Sequence, residues 1–217
     1  MTDELNAAAE PEAQEAPSAA PRKRPRPGER RVQILQTLAG MLEQPGADRV
    51  TTAALAARLD VSEAALYRHF ASKAQMFEGL IEFIEQSVFT LVNQITERSL
   101  SGEGEIAQAH KIVSVLLQFG ERNPGMTRVM VGDALVYENE RLVARMNQFF
   151  DRIESSLRQV LRAAAEGRGS STPTVDANAQ ASVMVSFVIG RLQRYARSGF
   201  KRSPTEQLDA ALNMLGA

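Results

Sequence analysis

In the stretch VSEAALYRHFASK, Val61 to Lys73, a tyrosine, an arginine and a histidine stand in a row as Tyr67, Arg68 and His69, just beyond two bare alanines, Ala64 and Ala65. A phenol, a guanidinium and an imidazole can all donate hydrogen bonds to oxyanions, and Lys73 adds an ammonium nearby. An α-helix enters the major groove of a duplex only if its first turn has no bulky side chain in the way, and a methyl there can touch the thymine C5-methyl. Ala64 and Ala65 meet that condition. The chemistry implied is recognition of a polyanion: Tyr67 on phosphate and sugar, Arg68 and His69 on phosphate or a base edge, and Lys73 on phosphate.

Such a row works only if short elements hold it outward. The string TTAALAARLDVSEAALYRHF reads as helix, tight turn, helix. Thr51 and Thr52 open the first of these helices, where a hydroxyl caps free N–H groups and those N–H groups favour a phosphate. Leu55 and Leu59 share its inner face, and Leu59-Asp60-Val61 makes the turn. Ser62 caps the second, whose Leu66 and Phe70 lie four apart on the buried side. Glu63, Ala64, Tyr67 and Arg68 then face out. A preceding helix begins near Glu29, carries the stripe Val32, Leu35, Leu38, Ala39 and Leu42, and ends before the breaker pair Pro45-Gly46. Ser72 opens a much longer helix.

Charge follows the same division. The net charge of −1 over 217 residues hides five acids and no base in residues 1–21, a net +5 in residues 22–73, and a net −1 in the remainder. A basic block beside the tyrosine helix is the footprint of a phosphate-binding surface. Residues 1–28 hold five of the nine prolines and almost no large apolar group, so they are expected to be disordered. They end in a basic run, PRKRPRPGERR, and Arg24 within it is expected to lie along DNA. The absence of cysteine excludes disulfides and thiolate metal sites, and no apolar run approaches bilayer length. A cytoplasmic protein is expected.

Beyond residue 73 every periodic segment is helical. Phe77, Leu80, Ile81, Ile84, Val88, Leu91, Val92 and Ile95 form one stripe, broken by Ser101 to Gly104. A helix over about 106–122 stops at Asn123-Pro124-Gly125, and a short helix follows. A long one is marked by Leu142, Met146, Phe149, Ile153, Leu157 and Val160, and two more cover about 175–198 and 204–215. Phe83 falls roughly 60° outside the apolar stripe at 100° per residue, which makes it either packing on the flank of the stripe or an exposed aromatic anchor for a partner. Arg122, Asn123 and Met126 surround a helix break, where side chains project from a corner. In the penultimate helix Ala177, Ala181, Met184, Val185, Val188 and Leu192 are small enough for close approach and suggest a four-helix dimer interface. His110 reads as a satisfied interior histidine. Asp151 and Glu154 read as a solvated ion-pair face rather than a catalytic pair, and neither a phosphate-cradling glycine loop nor a nucleophile elbow is present. No metal site, no cofactor and no enzyme activity are expected.

Residues 29–78 resemble the DNA-binding domain of the TetR family, on Thr51, Thr52, Leu55, Ala56, Val61, Ser62, Leu66, Tyr67, His69, Phe70 and Lys73. From Arg30 to about Leu161 the chain is similar to the nucleoid-occlusion members of that family, on SEAALYRHF, LIEFIE, FGERNPG and RMNQFFDRIE. The resemblance implies an all-α, TetR-like fold. A disordered tail (1–28) would precede a helix-turn-helix domain (29–73) and a C-terminal helical domain for dimerisation and partner binding (74–217). It implies a homodimer on palindromic DNA, with more than one dimer per site open, that antagonises ring assembly by the division protein FtsZ. The groove by Phe83 and the Arg122 corner is where FtsZ is expected. The rival reading is a ligand-responsive repressor of the same fold.

If several phosphates are neutralised by this surface, DNA affinity falls about 10³-fold or more between 50 and 200 mM salt. A flat salt response in a fluorescence-anisotropy titration would remove both the basic arm and the tyrosine helix from the interface.

Overall fold

The computed structural model of the chain describes residues 28–44, 49–97 and 104–216. Arg24, the expected disordered tail up to residue 27, the Pro45-Gly46 break and most of the Ser101–Gly104 break lie outside the described residues. The elements are α1 (Glu29–Leu42), α2 (Thr52–Arg58), α3 (Glu63–Tyr67), α4 (Lys73–Glu97), α5 (Glu105–Arg122), α6 (Pro124–Met130), a 3-10 turn (Asp133–Leu135), α7 (Glu140–Gly167), α8 (Pro173–Arg197) and α9 (Leu208–Leu215). No strand occurs among the described residues, so the architecture is all-α as expected.

The helix boundaries follow from local chemistry. Thr51 Oγ1 accepts from Ala54 N, and Ser62 Oγ accepts from Ala65 N, which caps α2 and α3. Asp60 stands at φ 55° and closes α2. Val61 N reaches Ala56 O and Asp60 N reaches Ala57 O, a pairing that satisfies the last carbonyls and turns the chain sharply into α3. The final helix begins later than expected. Residues 204–207 form turns instead, because Ser203 and Thr205 bond the carboxylate of Glu121 at the end of α5.

One continuous apolar cluster runs from Ile34 in α1 to Leu212 in α9. The three N-terminal helices are thus not separated from the larger body by a gap in packing: α4 belongs to both, and α1 also lies on α6. Two assignments change. Val32, read as part of the buried stripe of α1, is 54% exposed, and Ile34 takes the inward place. Leu91, read inward on α4, is 42% exposed, and Met76 is buried instead. In both helices the apolar residues cover a wider arc than one face, and the neighbours fix which edge is sealed.

The α8 row also has a different use. Ala177, Ala181, Met184, Val185, Val188 and Leu192 are all buried within the chain, where α8 packs along α7, so they are not left for a second copy. The face that α8 leaves open carries Val175 and Val183, 64% and 54% exposed, with Ala179 and Ser182 between them and Ser186 just beyond. His110 is half-buried, not satisfied: its Nε2 has no hydrogen-bond partner among the described residues, and burial lowers its pKa from the ordinary imidazole value.

Two cross-links tie helices far apart in sequence. Arg145 of α7 holds Glu85 of α4 in a fork, Nε to Oε1 at 3.1 Å and Nη2 to Oε2 at 2.6 Å. This hydrogen bonding, with Glu82 and Glu78 further along α4, raises the Arg145 pKa. Gly125 of α6 lies against the α1 backbone: a Cβ there would stand 2.0 Å from Ala39 O. A backbone neighbour cannot rotate away, so Gly125→Ala is expected to cost about 1–3 kcal/mol in a denaturant melt. Gly40→Ala on the same α1, where a Cβ meets nothing within 4 Å, is expected to gain about 0.5–1 kcal/mol. Equal melts for the two variants would contradict the close approach.

Candidate nucleic-acid and partner interface

The tyrosine row stands on α3, a helix of five residues. It is held by three contacts rather than by its own length, since a helix this short has no independent stability. Leu66 and Phe70 sink into the core at 1% exposure each. Arg31 of α1 stacks 4.1 Å above the Phe70 ring and donates from Nη1 to His69 O at 3.0 Å. Thr52 Oγ1 at the start of α2 donates to Glu63 Oε2 at 2.5 Å. The result is a fixed wedge whose outer face carries Ala64, Tyr67, Arg68 and His69, all exposed, with Tyr67 at 45%. Ala65 is partly covered.

Other residues expected at the duplex differ in what they have free. Thr51 and Ser62 use their oxygens as caps and keep their hydroxyl hydrogens. Thr52 has its hydrogen committed to Glu63. Lys73 is not the open cation that its position suggested: Nζ pairs with Glu138, from the segment between the 3-10 turn and α7, and lies 5.6 Å above the Phe77 ring. Glu138 is 65 residues away in the chain, which a local reading cannot see. Arg31, counted only with the basic arm by composition, instead positions α3; its 38-residue separation from His69 hides that role in the same way.

The second surface lies around Phe83. The ring is 47% exposed and borders a groove of about 330 Å³. One wall is α1, with Val32, Leu35, Gln36, Ala39, Gly40 and Glu43; the other is Leu80 and Phe83 of α4, closed at one end by Asn123 and Met126. Three of the four residues expected at a partner surface, Phe83, Asn123 and Met126, therefore converge. Arg122 is exposed at the corner but outside the groove lining. Asn123 Nδ2 donates to Phe119 O at 2.8 Å, which orients that side chain against the end of α5. The exposed Val32 finds its setting here. The groove spans the helix that bears Arg31 and the helix that follows α3, so its two walls are continuous with the wedge that carries Tyr67.

Among the described residues no group of His, Asp or Glu is arranged to hold a metal ion, and no helix is long and apolar enough to cross a membrane.

Comparison with known proteins agrees with this geometry. Residues 34–80 match the family described as bacterial regulatory proteins, tetR family, and residues 103–217 match the SlmA-like family described as tetracyclin repressor-like, C-terminal domain. The chain is 50% identical over 181 residues to the nucleoid occlusion factor SlmA of Idiomarina loihiensis, covering 83% of this chain and 90% of that one. It is also 50% identical over 189 residues to SlmA of Vibrio cholerae, covering 87% and 94%. In fold it is similar to the transcriptional regulator FadR from Bacillus subtilis in complex with stearoyl-CoA, with a TM-score of 0.67 at 12% identity, over 86% of this chain and 97% of that one.

Because Tyr67 is half exposed and outside the core, Tyr67→Ala is expected to leave stability within about 0.5 kcal/mol. It is expected to weaken duplex binding about tenfold or more, the worth of a hydrogen bond to a charged group. Unchanged affinity in an electrophoretic shift assay would take Tyr67 off the DNA.

Proposed function

The chain belongs to the SlmA-like branch of the tetR family, and from that premise we propose that it is a nucleoid occlusion factor: it binds palindromic chromosomal DNA as a homodimer and, while bound, antagonises FtsZ ring assembly. The observation that carries this reading is 50% identity to SlmA proteins over almost their whole length. The geometry supports it in three places.

The first is the α3 wedge. Tyr67 at the end of α3, and Arg68 and His69 in the turn after it, are exposed, and the first turn of α3 presents Ala64 and Ala65 beside Glu63, a narrow shape that a major groove accepts. Thr51 and Ser62 bring hydroxyl hydrogens to the flanking phosphates, and Thr52 joins them once Glu63 releases it. Arg24 reaches the backbone from the basic arm. Lys73 adds a cation to the same field from its pair with Glu138.

The second is the open face of α8. One α3 reads half of a palindrome, so a twofold partner is required to read the other half. Val175, Ala179, Ser182, Val183 and Ser186 form a strip of apolar and small residues along one side of α8, suited to close packing against the same strip of a second copy.

The third is the groove. Phe83, Asn123 and Met126, with Arg122 at the rim, form an apolar slot with polar ends, which suits a short segment of FtsZ that places an apolar side chain beside Phe83. Since α1 forms one wall and also clamps α3, a duplex that steadies the wedge steadies that wall. DNA binding then pre-organises the groove, and the partner binds more tightly at the chromosome than away from it.

The test is FtsZ assembly followed by light scattering with the protein and with or without its palindromic site. Assembly is expected to fall strongly only when DNA is present. Phe83→Ala is expected to keep DNA affinity within about twofold and to abolish the effect. Antagonism that ignores DNA, or that survives Phe83→Ala, would overturn the reading. Release of DNA by a small apolar inducer would favour the repressor alternative.

A further inference from the structure

We infer that the chain carries a phosphoanion-binding site at the far end of α8, distinct from the tyrosine wedge and from the Phe83 groove. A concave cavity of about 190 Å³ is lined there by Arg191, Arg194, Arg202, Ser203, Glu206 and Gln207. Between Asp176 and Glu206 the sequence has no acid, yet it places five cations, Arg191, Arg194, Arg197, Lys201 and Arg202, within twelve residues. Three of these guanidiniums converge on the cavity. No carboxylate lies within ion-pair distance of them among the described residues.

The walls are built rather than loose. Arg191 stacks 4.9 Å above Phe187, and its Nη1 donates to Glu206 O at 2.7 Å. That fixes the plane of the guanidinium while leaving its other N–H groups open. Ser203 is held by the carboxylate of Glu121, and its oxygen receives Thr205 N at 3.2 Å. Gln207 sits in the left-handed region at φ 51°, a conformation that a non-glycine residue keeps only where its surroundings impose it. Three converging guanidiniums outnumber Glu206, the one acid in the lining, and repel one another, and an oxyanion with several acceptor atoms removes that repulsion while taking their donors in forked pairs. Phosphate oxygens have that charge and geometry, and a cavity of this size holds one or two phosphoryl groups. The shared chemistry is that of a pyrophosphate, whether free or as the diphosphate of a nucleotide.

The site has a route to the rest of the molecule. Ser203 lines the cavity and bonds Glu121, and Tyr195 Oη donates to Glu121 O at 3.1 Å. Glu121 immediately precedes Arg122 and Asn123 at the groove corner.

The experiment is calorimetric titration of the full chain with inorganic pyrophosphate at low salt, with ADP as a second arm and sulfate as a control. Saturable binding of one pyrophosphate per chain is expected, with sulfate at least tenfold weaker. The double variant R194Q/R202Q is expected to lose at least tenfold, while Arg141→Gln, an exposed arginine on α7, changes nothing. Tighter binding of ADP than of pyrophosphate would identify a nucleotide as the source, and the reverse order the free anion. Heats that do not saturate, equal binding of sulfate, or a double variant that binds as the parent does would overturn the site. So would a matching loss of duplex affinity in R194Q/R202Q, because the arginines would then serve the DNA.

Discussion

Much of this molecule depends on one close approach, that of Gly125 to the carbonyl of Ala39. The body of the protein can grip α1 there only because α6 begins without a side chain at that point. With α6 seated, Asn123 and Met126 arrive at the end of the Phe83 groove, and α1 is held at the angle from which Arg31 reaches over Phe70 to the His69 carbonyl. If α6 were pushed outward by a methyl, the groove would open and the clamp on α3 would loosen together. The proposed recognition surface and the proposed partner surface are thus set by the same backbone contact.

The polar cross-links follow a similar logic on a larger scale. Arg145 and Glu85 join α7 to α4, Lys73 and Glu138 join the start of α4 to the loop before α7, and Glu121 gathers Ser203 and Thr205 under the end of α5. Each sits at the margin of the apolar cluster, where in the ion pairs the cation keeps some contact with water and the paired carboxylate, Glu138 above all, is largely covered, so each charge depends on its partner. The apolar interior provides most of the cohesion, while these pairs fix which helix ends lie side by side. Tyr195 belongs with them: burial, and after it the charges of Glu121 and Glu43, raise its pKa, so it remains a neutral donor to the Glu121 carbonyl.

The parts of the fold that sequence reveals are those decided within a few residues. Thr51 and Ser62 cap their helices as their types and positions predict, and Ala64, Tyr67, Arg68 and His69 face out because Leu66 and Phe70 must face in. Phe83 is legible as an outlier from its stripe. What sequence hides is decided by neighbours. Val32 and Ile34 are both apolar and two residues apart, and only the position of α4 and α6 says which is covered. The small and medium residues of α8 fit a second copy as well as they fit the chain's own helices, and only the packed chain shows that α7 and α5 cover them. Arg31 on His69, and Glu138 on Lys73, are partners that no spacing rule connects.

The hydrogen bond from Thr52 to Glu63 has a consequence for selectivity. An acid at the threshold of the reading helix occupies the hydroxyl that a phosphate would want, and it presents negative charge to any approaching strand. A loosely bound polyanion cannot displace it, whereas a duplex that fits along the whole wedge can. On the proposed reading, the module is thereby kept in shape when empty and would discriminate against nucleic acid that does not fit the wedge. Exchanging that glutamate for a neutral residue would make a protein that sticks more readily and chooses less well.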